Sequence, residues 1–553
     1  MNRLPLHKIS IILSLIAFSV INAQSLIDIK KQTDLIIADN FRIYPSNVSQ
    51  SETFIVNHPN DPDILFASAY TIVTNPFFIS EGIYVSTNSG DSWYGSDTCS
   101  GSPVTFHGGE PGITIDKNGV FLLNRLGRQP TFEGLYSHYS TDNGITWSNQ
   151  LKISPLGEDL EKHSISSDIY PASNYYGRSY AVYTMLSPPY KVKMTYTNDS
   201  GQSWVPVFDV NNPPVRCFGT DITVKDNGNV LVCWAVIPTG VPSPYEVNIG
   251  FARSSDGGLN WSVQENPIQT RGITGILAQK QNIRVNSAPR IAVDNTNSPY
   301  KGNIYIVTSQ RELSPAGNDP DIVLFKSSDN GNTWSSGIRV NQDAINNGKI
   351  QFFPAIKIDP SGAINILYLD DRNTTSDSSG VFLSRSTDGG NTWNDYEVSD
   401  HNFRPEAVSG IGAGNISDHI DITYTNGKLW PVWMDNSSGV YQVWTAPITV
   451  PAVSVEDESE SVSDFILNQN YPNPFNPATT ISWQMATAGY VIIKVYDMLG
   501  NEILTLADDY FAGGYNEIIF NTNRLNKVLS SGLYFYRITA GDHSETKSMM
   551  LLK

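Results

Sequence analysis

Cysteine is nearly absent: the chain of 553 residues holds three, Cys99, Cys217 and Cys233. So few exclude a disulfide-stapled scaffold, and an odd number leaves at least one thiol unpaired. Cys217 and Cys233 fall on neighbouring strand-like segments, so one disulfide between them is open. No spacing of cysteine, histidine or carboxylates has the order of a metal site, and no phosphate-binding glycine loop or nucleophile elbow stands out; no cofactor is expected. Basic residues are also scarce. Lys and Arg number 36 against 54 Asp and Glu, a formal net charge of −18. That balance argues against nucleic acid and against anionic membrane surfaces as partners. Long apolar runs are missing, with one exception. Ile9 to Ile21 follows the basic residues Arg3, His7 and Lys8, and its thirteen residues are too few to span a bilayer. With Ile21-Asn22-Ala23 behind it, 1–23 reads as a secretory signal peptide, cut at about Ala23. No membrane insertion is expected.

What the chain does have is turn formers and aromatics: 42 Gly, 32 Pro, 27 Tyr and 11 Trp, a composition for many short strands. Within it one unit repeats. Ser86–Trp93 reads STNSGDSW, Ser140–Trp147 STDNGITW, Thr197–Trp204 TNDSGQSW, Ser254–Trp261 SSDGGLNW, Ser327–Trp334 SSDNGNTW and Ser386–Trp393 STDGGNTW. The shared form is [S/T]-x-[D/N]-x-G-x-x-W. The hydroxyl and the carboxylate can bond N–H groups of their own turn. The glycine permits positive φ, and the tryptophan buries a large flat surface. The third position is Asn88, Asp142, Asp199, Asp256, Asp329 and Asp388, read as structural turn residues and not as a catalytic set.

The tryptophans recur at 93, 147, 204, 261, 334 and 393. An all-β period above about fifty residues means propeller blades rather than a helical solenoid. Each module reads as strands A, B and C, the repeated turn, then D. A seventh module lacks the turn: His419–Tyr424, Lys428–Met434 and Val440–Ala446 supply three strands. Phe41-Arg42-Ile43-Tyr44-Pro45 is then a spare strand that completes the last blade, which removes the exposed edges of an open ring. The expected fold is all-β, a seven-bladed propeller, with six blades as the alternative, followed by a small β-sandwich. The expected organisation is a signal peptide over 1–23, a lead-in over 24–32, the propeller over 33–450, an acidic linker over 451–463 and a separate domain over 464–553.

The repeated turn resembles the Asp-box, or BNR repeat, of sialidase-like propellers. The last ninety or so residues resemble the type A sorting domain of the type IX secretion system, through Asn468–Pro477 (NQNYPNPFNP), Val495–Gly500 (VYDMLG), Ser531–Arg537 (SGLYFYR) and the terminal Lys547–Lys553. That resemblance implies an immunoglobulin-like sandwich, export by the type IX machinery through 464–553, and a mature protein released or held at the outer-membrane surface.

In a propeller the A–B and C–D turns share one face, so ligand chemistry is expected on the other, near the channel mouth. Arg125, Arg311 and Arg372 lie just past B strands, and Arg216, Arg290 and Arg404 lie in D–A connections. Several arginines on one face of so acidic a chain point to an anionic or carboxylate-bearing ligand. Asp221, Asp371 and Glu110 are the candidate catalytic acids. The leading reading is binding of a glycan, polymer or protein. The alternative is a glycoside hydrolase, exo-sialidase first, since sialidases hold a sugar carboxylate with three arginines. Phe41–Pro45 is similar to their F/Y-R-I-P motif but carries an extra Tyr.

Overall fold

A computed structural model describes residues 35–450 and 465–553, apart from 76, 100–106, 128–132, 156, 214, 241–244, 410, 471, 486–487, 512–513, 526 and 542. The signal peptide, the lead-in and the acidic linker lie outside the described residues. The chain divides into two compact units, Met1–Pro451 and Ala452–Lys553.

The first unit is a β-propeller. Among the described residues it holds six four-stranded antiparallel meanders, one six-stranded sheet and one two-stranded hairpin. The meanders run in chain order, from Ser49–Ser96 through Gly109–Lys152, Leu160–Asp209, Arg216–Gln269 and Arg290–Arg339 to Gln351–Glu397. The hairpin, Gly275–Leu277 with Ile283–Val285, is inserted between the fourth and fifth. The second strand of each sheet is buried along almost its whole length because sheets pack on each side of it. In Ile364–Asp370 every residue is buried.

Both chain ends build the remaining sheet. Asp421–Thr425, Lys428–Asp435 and Gln442–Thr445 form its inner strands, and Phe41–Arg42 pairs antiparallel with Gln442–Thr445. Ile36–Ile37 adds a second N-terminal pairing, with Ile448–Thr449. The ring closes between this sheet and the first. Thr53 N–H donates to the His419 carbonyl (3.1 Å), Ile55 N–H to Asp421 Oδ2 (3.2 Å) and Thr423 Oγ1–H to Asn57 Oδ1 (2.8 Å).

The repeated turns sit between the third and fourth strands of the first six sheets. In the second, Asp142 Oδ1 accepts from Ser140 Oγ and from Thr146 N–H (both 2.8 Å), and Oδ2 accepts from Thr146 Oγ (2.6 Å). The same bonds recur at Asp199, Asp329 and Asp388. The position before the tryptophan therefore belongs to the motif. It is Ser92, Thr146, Ser203, Asn260, Thr333 or Thr392. At the first turn Asn88 does the same work with the polarity reversed, its Nδ2–H donating to Ser92 Oγ (2.9 Å). At this turn an amide serves in place of the carboxylate, so these bonds do not require the charge.

These turns also bind each sheet to the one before it. Gly331 has φ 80°, and a Cβ there would lie 2.2 Å from the Phe251 ring of the preceding sheet. A Cβ on Gly90 would meet Trp430 of the closing sheet at 2.0 Å, so the first turn helps seal the ring. The tryptophans follow suit: Trp334 packs edge-on against Phe251 and Trp93 against Trp430.

The three cysteines are free and buried. Cys217 and Cys233 do lie on adjacent strands, but Cys217 faces Val236 and Cys233 faces Asp221, so the two thiols are not partners across the ladder.

The second unit is a sandwich of a three-stranded and a four-stranded antiparallel sheet. Ile481, Trp483, Val491, Ile493, Phe520, Tyr536 and Ile538 fill its core. Tyr536 Oη donates to the Asn468 carbonyl (2.8 Å) and accepts from Asn470 N–H (2.9 Å), tying the Asn-rich entry segment to the sheet. Among the described residues no helix is long and apolar enough to cross a membrane.

Candidate functional site

The innermost strands carry a feature that alternation alone does not produce. In five of them the ladder slips near its start, between Ser51 and Phe54, Gly109 and Gly112, Glu161 and Ser164, Phe218 and Asp221, and Phe352 and Ala355. The residue within each bulge has positive φ: Glu52 49°, Glu110 54°, Lys162 50°, Gly219 64° and Phe353 54°. Only one of the five is glycine. Each of the others costs about 1–2 kcal/mol in that conformation. Repeated strain at one level of a ring has a geometric result: the side chains turn in toward the axis.

There they meet the closing sheet. Lys162 Nζ lies 3.4 Å from Glu52 Oε1 and forms an ion pair with Asp418. Glu110 Oε2 accepts the Lys162 N–H (3.0 Å), and Asp418 also accepts from Asn286. Beside them Arg290 contacts Asp221 (3.2 Å), Asp421 (3.7 Å) and the His419 ring. Burial pushes the Glu52 carboxyl up to about 8, although Lys162 opposes it. The Lys162 ammonium is held above its ordinary range, the surrounding acids outweighing burial, with Asp418 first among them. Asp418 is thus the main counter-charge, and Glu52 keeps its proton at neutral pH. Burial pushes His163 down to about 4 and, with Arg290, holds His419 well below its usual range. Both imidazoles are neutral.

The axial cavity over these groups is only about 40 Å³, room for little more than a water molecule. A cleft of about 400 Å³ adjoins it and shares Glu52, Glu110 and Lys162 as its floor. Tyr70, Ile79, His107, Glu161, Arg284, Ile411 and Asn415 line the rest. That volume is within the range of ligand sites. One wall is set from beneath. His107 Nδ1 is ion-paired with fully buried Glu81, and Arg125 Nε stands 3.9 Å behind that carboxylate. Burial raises the Glu81 carboxyl, but His107 and Arg125 outweigh it and hold it below its usual range.

The sequence candidates separate on this geometry. Glu110 and Asp221 both reach the axial cavity. Asp221 is saturated by Ser164 Oγ (2.8 Å), Ile222 N–H and Ile291 N–H (both 3.0 Å) and Arg290, whereas Glu110 also lines the adjoining cleft. Asp371 is elsewhere: it is buried against Lys280 (2.7 Å) and accepts Ile350 N–H (2.6 Å), pinning the inserted hairpin. Asp221 and Asp371 therefore do not line the same cavity.

The six arginines do not form one anion site. Arg290 is axial. Arg125 lies under the cleft, also bonded to His138 (3.1 Å). Arg372 is bonded to Asp370 (2.7 Å) and Asp395. Arg404 is half exposed beside Asp377 (3.3 Å) and Glu406 (3.9 Å). Arg216 lies over the Phe218 ring (5.7 Å), and Arg311 N–H donates to the Arg271 carbonyl (3.0 Å). The reason is radial. A residue past the end of a B strand stands one strand farther from the axis than the A strand, about 4.8 Å. Of the two arginines that begin inner strands, Arg290 lines the axial cavity and Arg216 turns to the Phe218 ring. Sequence reasoning missed Glu52, Lys162, Asp418, Glu81 and His107. No local signal marked them: Lys162 stands in the polar run Leu160–Ser167, Glu52 among Ser, Gln and Thr, and Asp418 outside any strand.

Glu52 has a pH signature. Its folded pKa, about 8, is above its ordinary 4.5, so its contribution to stability is complete below about pH 4.5 and lost as pH rises toward 8. Glu52→Gln is expected to remove that loss, on the order of a few kcal/mol between pH 5 and pH 8. Urea melts of both proteins at the two pH values measure it; parallel losses would refute the assignment.

Residues 469–552 match the family described as the Secretion system C-terminal sorting domain. The chain is thus a β-propeller protein carrying a type IX sorting signal, addressed for export to the cell surface or the medium. No curated protein matches it in sequence. Similar solved structures include a protein of unknown function from Dyadobacter fermentans, at 13% identity and TM-score 0.43, covering 75% of this chain and 99% of that one. A polysaccharide lyase of family PL25, an ulvan lyase, is similar at 10% identity and TM-score 0.45, covering 74% and 95%. A Hadza microbial sialidase is similar at 13% identity and TM-score 0.38, covering 70% and 74%.

Proposed function

We propose that the propeller binds a glycan in the cleft over Glu52, Glu110 and Lys162, on the face opposite its Asp-box turns, and that the sorting domain delivers it to the outer surface. One observation carries this reading: strained bulges from separate sheets present charged side chains on the floor of a ligand-sized cleft. Strain of that kind persists where function needs the geometry. Carboxylates, Arg284, Asn415 and Tyr70 supply the hydrogen bonds and the ring face that hydroxylated ligands use. A second reading, glycoside hydrolysis, is favoured by Glu52. A carboxyl that keeps its proton at neutral pH, with Glu110 and Asp418 beside it, has the property of a general acid. The scattered arginines give no support to a sialidase.

The test is a panel of polysaccharides and fluorogenic glycosides offered to the full chain and to Glu110→Gln. Binding to at least one glycan is expected, weakened about tenfold or more in the variant at an unchanged melting temperature. Release of reducing ends by the wild type would select the hydrolase reading. Absence of any glycan binding would overturn both.

A further inference from the structure

The opposite mouth of the channel, on the face of the repeated turns, is also open. A cavity of about 660 Å³ lies there among the far ends of the inner strands. Asn57, Ser167, Tyr170, Thr223, Asn295 and Lys357 are among its walls. The layer of Arg290 with Asp221 and Asp421 stands between it and the axial cavity. We propose that this cavity is a second binding site, for a hydroxylated carboxylate of the uronic acid class, anchored by Lys357.

The charge balance of the walls carries the argument. Three charged residues line the cavity: Lys357, Asp359 and Asp421. Both acids are already engaged. Asp421 takes the Ile55 and Ile422 N–H groups (3.2 and 2.9 Å) and faces Arg290. Asp359 is ion-paired with Arg385 and accepts from Asn365 Nδ2–H (3.1 Å). Among the described residues no hydrogen bond or ion pair reaches Lys357 Nζ; its one charged influence is Asp421, on the neighbouring sheet. Burial, with Asp421 opposing it, holds the ammonium below its ordinary range. A half-buried cation without a partner is costly, and an anion entering the cavity would relieve that cost. The other walls select what the anion is attached to. The Thr223 hydroxyl lines the cavity, and Asn57, Ser167 and Asn295, although bonded to His58 and Thr423, to Thr114 and Ser179, and to Val224 and Asp226, each keep a further amide hydrogen or lone pair that a sugar hydroxyl can meet. An inorganic anion would use the lysine alone and leave that capacity unused.

Isothermal titration of the full chain with D-glucuronate and D-galacturonate tests this, with D-glucose as the uncharged control. The uronates are expected to bind and glucose not to. Lys357→Met is expected to weaken uronate binding at least tenfold, and Glu110→Gln to leave it unchanged, so failure here is distinct from failure of the cleft reading. Acetylation of native wild type by an N-hydroxysuccinimide ester, followed by peptide mass spectrometry, needs no variant. Glucuronate should slow labelling of Lys357 and glucose should not. A silent titration, a Lys357→Met protein that binds as wild type, loss of uronate binding in Glu110→Gln alone, or unprotected labelling would each overturn the proposal.

Discussion

Lys162→Met is expected to destabilise the propeller by about 3–5 kcal/mol, among the largest effects of any single substitution in it. Methionine nearly matches the volume, so little of this is lost packing. The cost is electrostatic. The ammonium is enclosed by Asp418, Glu52 and Glu110, from the closing, first and second sheets. Removing it leaves those carboxyls facing one another with no counter-charge, and the penalty of a broken buried pair exceeds the net value of the intact one. The sign with pH follows. Without Lys162 the Glu52 carboxyl, already raised by burial, loses the charge that holds it down, so the lost stability grows as pH rises and shrinks as pH falls. Urea melts followed by tryptophan fluorescence at pH 5 and pH 8 should show the larger deficit at pH 8. A deficit under about 1 kcal/mol at both would show that the cluster is solvated and not a buried pair.

That cluster was the least legible part of the sequence, and the reason is physical. The repeated turn is a local device: hydroxyl, carboxylate, glycine and tryptophan within eight residues satisfy one another, so its spacing alone reveals the turn. The closing strand was legible for a related reason, since Phe41–Arg42 is a strand left over where the last module lacks one. Glu52, Lys162 and Asp418 are far apart in the chain and meet only because the ring brings strand starts to one axis. Their convergence also depends on left-handed bulge residues that, except at Gly219, are not glycines, so the residue type gives no warning. The same bulges put Glu52, Glu110 and Lys162, rather than the arginines past the B strands, at the axial cavity. Even in the legible turn the sequence pattern stopped one position short: the hydroxyl or amide before each tryptophan closes the second carboxylate oxygen, or its amide equivalent.

Trp393→Ala is expected to cost about 3–5 kcal/mol of folding stability and to leave glycan affinity unchanged in the folded fraction. The indole is buried among Tyr305, Val307, Leu324, Ile364 and Ile366, residues of its own sheet and of the one before it. Gly390 of the same turn lies so close to Leu324 that a Cβ would be 2.9 Å from it. The turn and the preceding sheet are therefore fitted together, and the void left by alanine cannot be filled by a small shift of either. Among the described residues the indole N–H has no hydrogen-bond partner, so the loss is one of packing rather than of a hydrogen bond. Asp388→Asn at the same turn should cost far less, because Asn88 already makes the equivalent bonds in the first sheet. Paired urea melts give the two stabilities, and titration of each folded variant with a bound glycan gives the affinities. Should Trp393→Ala fold fully yet lose the glycan, the repeated turns would have to be counted as part of the binding face.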